Sequence, residues 1–185
     1  MRNATMRRAT MRRAVAALGI AMLGAMAAPA AAVEPYLVSV AVLGGLGGPL
    51  DAEAPDPGLD HQSLQIDVGL LTEARTLAVL RLGQIEIDEP LGVLAEPTLE
   101  YATISGEYRF YKGWYDSGIF LGLGGYRLEG EGSDSESSIG LTAGVTGDLE
   151  VTRWLSVVAE LSAHWADLES NQLWGMGHAG LAVKF

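Results

Sequence analysis

The sequence predicts an all-β fold, an eight-stranded antiparallel up-and-down transmembrane β-barrel formed by residues 33–185. Three observations favour this fold. Eight segments alternate apolar residues with small or polar ones, the period expected of a strand with one face in lipid and the other in a lumen. The connections between these segments alternate between long and short, as the loops and turns of a small barrel do. The last segment ends on an aromatic residue.

Residues 1–32 are predicted to form a cleaved secretory signal peptide. Several arginines precede an apolar run, Ala14–Ala28, and Ala30 and Ala32 supply the small residues of an A-x-A cleavage site. The apolar run is shorter than the roughly 20 residues that a membrane-spanning helix requires. A start at Met11 would leave the same signal complete, so the position of the true start codon stays open.

The composition of the remaining 153 residues limits the choice of partners. Seven basic residues stand against 23 acidic ones, which gives a formal charge of −16. This balance argues against nucleic acid, because binding to phosphates depends on Lys and Arg. The chain has no cysteine, so it has neither a disulfide framework nor a thiolate metal site, and no cofactor is predicted.

The first four strands are predicted at Tyr36–Leu46, Ser63–Leu71, Thr76–Ile87 and Thr98–Phe110. The second is a clear alternation, with Leu64, Ile66, Val68 and Leu70 opposite Gln65, Asp67 and Gly69. The third changes phase, because Leu82 lies on one face whereas Ile85 lies on the other. A β-bulge is therefore predicted near Gly83.

The last four strands are predicted at Ser117–Leu128, Ile139–Val151, Leu155–Trp165 and Gly175–Phe185. In the fifth, Ile119, Leu121 and Leu123 alternate with glycines. The sixth carries carboxylates and glycines on its second face, which excludes packing between two apolar layers. In the eighth, one face carries Ala179, Leu181, Val183 and Phe185.

The terminal strand resembles the carboxy-terminal signature of bacterial outer-membrane barrels. That resemblance implies that the barrel-assembly machinery reads Ala179, Leu181, Val183 and Phe185 as an assembly signal. With its glycine-interleaved strands, FLGLGGY and IGLTAGVTG, nearly the whole mature chain resembles the small OmpA-like and OmpX-like barrels. The resemblance implies a location in the bacterial outer membrane, in contact with its lipids and lipopolysaccharide.

The connections predict which end of the barrel faces outward. With both termini in the periplasm, the outer loops are the four longer connections, Gly47–Gln62, Asp88–Pro97, Glu129–Ser138 and Ala166–Trp174. They hold 13 of the 23 acidic residues. These acids favour a solvated surface, and divalent cations are a second possibility, with Glu129–Glu136 as the densest segment.

Aromatic residues are predicted to form a girdle at each end of the barrel. The periplasmic girdle would comprise Tyr36, Phe110, Tyr111, Trp114, Tyr115, Trp154 and Phe185, and the outer one Tyr126, Trp165 and Trp174.

The second faces of the strands predict a charged lumen. It would contain Asp67, Arg81, Glu107, Arg109, Asp148, Glu150, Glu160, His164, His178 and Lys184. The interior of an eight-stranded barrel is only wide enough for side chains, and buried charges persist when they are paired. These residues are therefore predicted to form an internal ion-pair network. Glu107 and Arg109 could pair within their own strand, with further partners on neighbouring strands.

The predicted function is a non-enzymatic barrel with a structural or surface-interaction role. One alternative is a narrow, porin-like channel for small or hydrophobic solutes. Another is a lipid A-modifying acyl hydrolase, because Glu160, Ser162 and His164 share one strand face. In the outer-membrane deacylases the nucleophilic Ser follows the His by two residues. Ala166 holds that position here, so this pattern fails.

Overall fold

The computed structural model describes residues 37–51, 58–73, 75–87, 95–111, 114–131, 135–169 and 172–185. Its strands are β1 (Val38–Pro49), β2 (His61–Glu73), β3 (Thr76–Glu86), β4 (Ala95–Tyr111), β5 (Tyr115–Glu131), β6 (Glu136–Thr152), β7 (Leu155–Ala166) and β8 (Leu173–Lys184). Each strand pairs antiparallel with the next, and β8 pairs with β1 to close the barrel. The predicted fold class is confirmed.

The described residues include no helix long and apolar enough to cross a bilayer. The predicted signal peptide, Tyr36 and the side chain of Tyr111 lie outside the described part of the chain.

The two faces of the wall differ in the way that the alternation predicts. Outward side chains form an apolar belt, in which Ile104 is 63% exposed and Leu121 is 66% exposed. Their inward neighbours are buried and polar, as for Thr103 and Ser105. A sheet that exposes large apolar residues and buries polar ones matches a lipid-facing wall around a polar lumen.

The two ends of the barrel also differ. The "turn end" carries the three short connections, which follow β2, β4 and β6, and the described termini. The "loop end" carries the four longer connections, which follow β1, β3, β5 and β7. β5 and β6 extend toward the loop end beyond their predicted limits. These extensions carry polar residues on both faces, so a search for apolar alternation ends too early.

The predicted bulge near Gly83 was wrong. The β3–β4 register runs without interruption from Thr76 to Glu86, and the β2–β3 register shifts only at Leu71 and Glu73. Ile85 faces the lumen in the same phase as Arg81. The apparent change of phase arises because the lumen itself is apolar near the loop end.

The predicted girdles are found in part. At the turn end, Tyr108, Phe110, Tyr115, Trp154 and Phe185 are exposed on the outer surface. At the loop end Trp165 faces outward, but Tyr126 and Trp174 point into the lumen, where they are 2% and 0% exposed. The predicted outer girdle of three aromatic residues was therefore wrong, because two of them fill the lumen instead.

Candidate functional site

The lumen has two zones of different chemistry. Near the loop end lies an "apolar plug", which comprises Ile85, Ile87, Leu99, Tyr101, Tyr126, Leu128, Ala166, Leu168, Trp174 and Met176. From the middle of the barrel to the turn end lies a "charged zone", which comprises Asp67, Arg81, Glu107, Arg109, Asp148, Glu160 and Lys184. Both zones are buried.

The plug is built from large side chains on some strands opposite glycines on others. The rings of Tyr101 and Tyr126 stack with centroids 6.4 Å apart. A Cβ at Gly140 would lie 2.9 Å from the Tyr126 ring, so only glycine leaves room for that ring. Deeper in the barrel, a Cβ at Gly144 would lie 2.5 Å from the Phe120 ring. The inward glycines Gly140 and Gly144 of β6 thus leave room for the rings of Tyr126 and Phe120 from β5.

Arg81 is the centre of the charged zone. Its Nε lies 2.9 Å from Glu160 Oε2, and its Nη2 lies 2.9 Å from Glu107 Oε2. Asp67 Oδ2 lies 4.0 Å from Nε. The guanidinium also donates to Ser105 Oγ and lies 3.8 Å from the centroid of the Phe120 ring. Arg81 therefore joins β3 to β4 and, across the lumen, to β7. A buried charge needs this degree of pairing.

A second group of ion pairs continues toward the turn end. Arg109 forms an ion pair with Glu107, and its Nη1 lies 3.7 Å from Asp148 Oδ2. Lys184 Nζ lies 2.9 Å from both carboxylate oxygens of Asp148. The structure thus brings Glu107 and Arg109 together within β4 and gives each a partner on another strand. Glu150 is half-buried on the lumen side of β6 and makes no ion pair with the described residues.

His164 and His178 lie outside these ion pairs. Nδ1 of His164 lies 3.0 Å from the Tyr126 hydroxyl, and its Nε2 lies 3.0 Å from Ser162 Oγ. His178 Nε2 lies 2.8 Å from Ser63 Oγ. Both imidazoles therefore use hydroxyl partners.

The arrangement around Ser162 differs from an acyl-transfer triad. A triad needs a carboxylate that orients the imidazole. Here the second ring nitrogen of His164 meets the hydroxyl of Tyr126, whereas Glu160 accepts from Arg81 and from Gln65. Ser162 itself is buried in the lumen.

Two uncharged residues connect the zones, and the sequence reasoning missed their role. The Tyr101 hydroxyl donates to Gln65 Oε1 at 2.6 Å, and Gln65 Nε2 donates to Glu160 Oε1 at 3.2 Å. This relay runs from the plug to the Arg81 cluster. In the sequence, Gln65 shares the inward face of its strand with Ser63 and Asp67, and this position could have indicated a role in the lumen.

The outward residues of β8 lie at the closing seam of the barrel. Ala179, Leu181 and Val183 face away from the lumen, and Phe185 is exposed beyond the strand end. The Phe185 backbone N–H donates to the Val38 carbonyl at 2.9 Å, and the Phe185 carbonyl accepts from Leu37 at 2.9 Å. These bonds attach the end of β8 to the start of β1.

Some loop acids organise the loops. Asp51 Oδ2 accepts from the backbone N–H groups of Gln172 at 2.6 Å and of Leu173 at 2.9 Å. Glu136 Oε2 accepts from the Glu169 N–H at 3.0 Å. These bonds connect separate loops at the mouth of the barrel.

The prediction of divalent cations at the loops stays a prediction. In the part of the chain that the structure describes, no group of three or more His, Asp or Glu side chains is placed to hold a metal ion. Several of the predicted loop acids lie outside the described residues: Glu53, Asp56, Asp88, Glu89 and Asp134.

Comparisons with known proteins bear on the fold. No protein-family model matches the chain, and no curated protein matches its sequence. The crystal structure of Neisserial surface protein A superposes with a TM-score of 0.62, at 15% identity over 81% of this chain and 97% of that one. OprG from Pseudomonas aeruginosa superposes with a TM-score of 0.58, at 11% identity over 83% of this chain and 98% of that one.

The N-terminal barrel domain of Pseudomonas aeruginosa OprF superposes with a TM-score of 0.56, at 13% identity over 80% of this chain and 97% of that one. The chain has the fold of the small eight-stranded outer-membrane barrels. The resemblance seen in the sequence is confirmed at the level of the fold.

Proposed function

We propose that the protein is a non-enzymatic barrel of the bacterial outer membrane, with a sealed lumen and with acidic loops that make contacts at the cell surface. The location is supported by the outward apolar belt, by the aromatic residues at the turn end and by the fold. Outer-membrane lipids and lipopolysaccharide would surround the belt. The barrel-assembly machinery would read the outward face of β8.

The proposal of a sealed lumen rests on one observation: the apolar plug and the charged zone follow each other along the lumen. A solute entering from the loop end meets a plug whose ten members are each 4% exposed or less. Beyond it, Arg81 bridges from β3 to β7 and blocks the cross-section with hydrogen-bonded side chains. An open pore would need a water-filled lumen, as in larger barrels.

Planar-bilayer recording on the refolded protein tests this proposal. The expected trace is silent over a wide range of voltage. Steady single-channel steps would favour the narrow-channel alternative. Cell fractionation, with gels of boiled and unboiled samples, tests the location. We expect a heat-modifiable band in the outer-membrane fraction, and recovery as a soluble periplasmic monomer would contradict the proposal.

The hydrolase alternative has one observation in its favour, the 3.0 Å contact between Ser162 and His164. It is tested by mass spectra of lipid A from cells that express the wild type, Ser162→Ala or His164→Ala. We expect the same acylation pattern in all three. Loss or gain of an acyl chain with the wild type alone would favour the enzyme.

A further inference from the structure

The basic side chains of the barrel fall into two groups that differ in pairing. Of the six basic residues that the structure describes, Arg81, Arg109, Arg127 and Lys184 form ion pairs with carboxylates. Arg75 and Arg153 are exposed and form no ion pair with any described residue. Both lie in short connections at the turn end. Their charges are therefore available to a ligand.

Arg75 and Arg153 lie on opposite sides of the closed barrel. Arg75 lies between β2 and β3, and Arg153 lies between β6 and β7. The third short connection, between β4 and β5, contains Lys112, which lies outside the described residues. Each short turn thus carries one basic residue. Among the described residues at the ends of these strands, one acid is exposed, Glu73.

Aromatic side chains accompany both arginines. Trp154 follows Arg153 and is half exposed. The residue after Arg75, Thr76, pairs in register with Tyr108, whose ring meets that of Phe110 in a T-shaped contact at 5.1 Å. Exposed aromatic rings at the edge of an apolar belt occupy the headgroup level of a bilayer. The arginines therefore lie at the same level.

From these observations we infer that the turn end binds the anionic headgroups of glycerophospholipids. The inference rests on the proposed location, because it requires an inserted barrel. Separate charges on opposite sides of the barrel match the lipids that encircle it, whereas a macromolecular partner would meet one continuous patch. The loop end has the opposite balance, since its four connections carry 13 acids and no Lys or Arg. Anionic lipid is thus attracted at one end and repelled at the other.

Quenching of tryptophan fluorescence can report on the lipids at each end of the barrel separately. Trp154 is exposed at the turn end and Trp165 at the loop end. The full chain is inserted into phosphatidylcholine vesicles that contain a minor fraction of phosphatidylglycerol. Either lipid is supplied with brominated acyl chains, which quench nearby indoles. The difference between the wild type and Trp154→Phe reports on the turn end, and the difference from Trp165→Phe reports on the loop end.

We expect brominated phosphatidylglycerol to be enriched beside Trp154 by about fivefold for each nearby arginine, and not to be enriched beside Trp165. High salt should abolish the enrichment, because screening weakens interactions at an exposed surface. The pair Arg75→Gln with Arg153→Gln should lose it, and the pair Arg75→Lys with Arg153→Lys should keep it. Arg127→Gln, the matched loss of charge at the loop end, should leave it unchanged.

The outcomes separate the two proposals. Failure to insert into either kind of vesicle, seen as the absence of a heat-modifiable band, would overturn the proposed location. Insertion with equal quenching by the two lipids at Trp154 would overturn the lipid assignment alone. Enrichment that survives in the doubly substituted Gln variant, or that falls as much with Arg127→Gln, would also overturn it.

Discussion

The apolar plug and the charged zone fill the same lumen, between the same eight strands, by different means. The plug uses bulk, with rings and aliphatic side chains opposite glycines. The charged zone depends on ion pairs, in which each buried basic group has at least one carboxylate partner on another strand. A substitution in the plug should therefore lower the stability of the barrel when it changes side-chain volume. A substitution in the charged zone should lower it when it removes the partner of a charge.

The difference predicts different consequences for damage to each zone. Removing bulk leaves a cavity that the neighbouring side chains can partly fill. Removing one member of a buried ion pair leaves a charge that nothing nearby can neutralise, and the cost of that charge can exceed the original benefit of the pair. The charged zone should therefore be the more fragile of the two.

Arg81→Met should produce the largest loss of stability, because it leaves Glu160 without an ion-pair partner among the described residues and leaves Glu107 with Arg109 alone. We expect about 3–5 kcal/mol less free energy of unfolding. Urea titration of the vesicle-inserted protein, followed by tryptophan fluorescence, measures it. Adding Glu107→Gln and Glu160→Gln should restore part of the loss. If the triple variant is no more stable than Arg81→Met, unpaired charge is not the cause.

Leu99→Ala tests the plug in the same assay. Leu99 is fully buried, and its removal should cost about 2–4 kcal/mol through lost contacts and a cavity. Leu99→Met, which conserves the volume, should cost less than about 1.5 kcal/mol. A cost at Leu99→Met that equals the cost at Leu99→Ala would show that the plug does not depend on volume.

The two zones also differ in how well the sequence predicts them. The lipid-facing belt imposes an apolar residue at every second position, so the phase of a strand such as β6 follows from its sequence. The inward placement of Arg81 and Glu160 follows from the same alternation. At the loop end the lumen is apolar as well, and the contrast between the faces disappears. That loss explains both the false bulge near Gly83 and the wrong placement of Tyr126 and Trp174.

The contacts inside the lumen could not be predicted, because they depend on register and on closure of the barrel. Asp67 is the Cα partner of Arg81 on the neighbouring strand, yet it stays 4.0 Å from the guanidinium. Glu160 comes within 2.9 Å from the opposite wall. The residue types indicated that charges in the lumen would form ion pairs. Which charges pair with each other depends on how the eight strands close into a barrel.

Tyr101→Phe tests the junction between the two zones. The hydroxyl is the plug's donor to Gln65, and its loss leaves a buried amide oxygen without that partner. We expect a loss of about 1–3 kcal/mol in the free energy of unfolding, with little change in packing. A double-mutant cycle with Gln65→Leu should show coupling. Additive effects of the two substitutions would mean that the relay does not connect the zones energetically.

Arg127→Gln should have the smallest effect and sets the scale for the others. Arg127 pairs with Glu129 as Arg81 pairs with Glu160, but Arg127 and Glu129 are each about half exposed to water. Water screens exposed ions and solvates either one when the other is removed, so we expect a change of about 0–1 kcal/mol in the urea titration. The contrast between Arg127→Gln and Arg81→Met compares the loss of an exposed guanidinium with the loss of a buried one that has two carboxylate partners. A cost at Arg127 comparable to that at Arg81 would mean that net charge, rather than the low-dielectric lumen, controls the stability of the barrel.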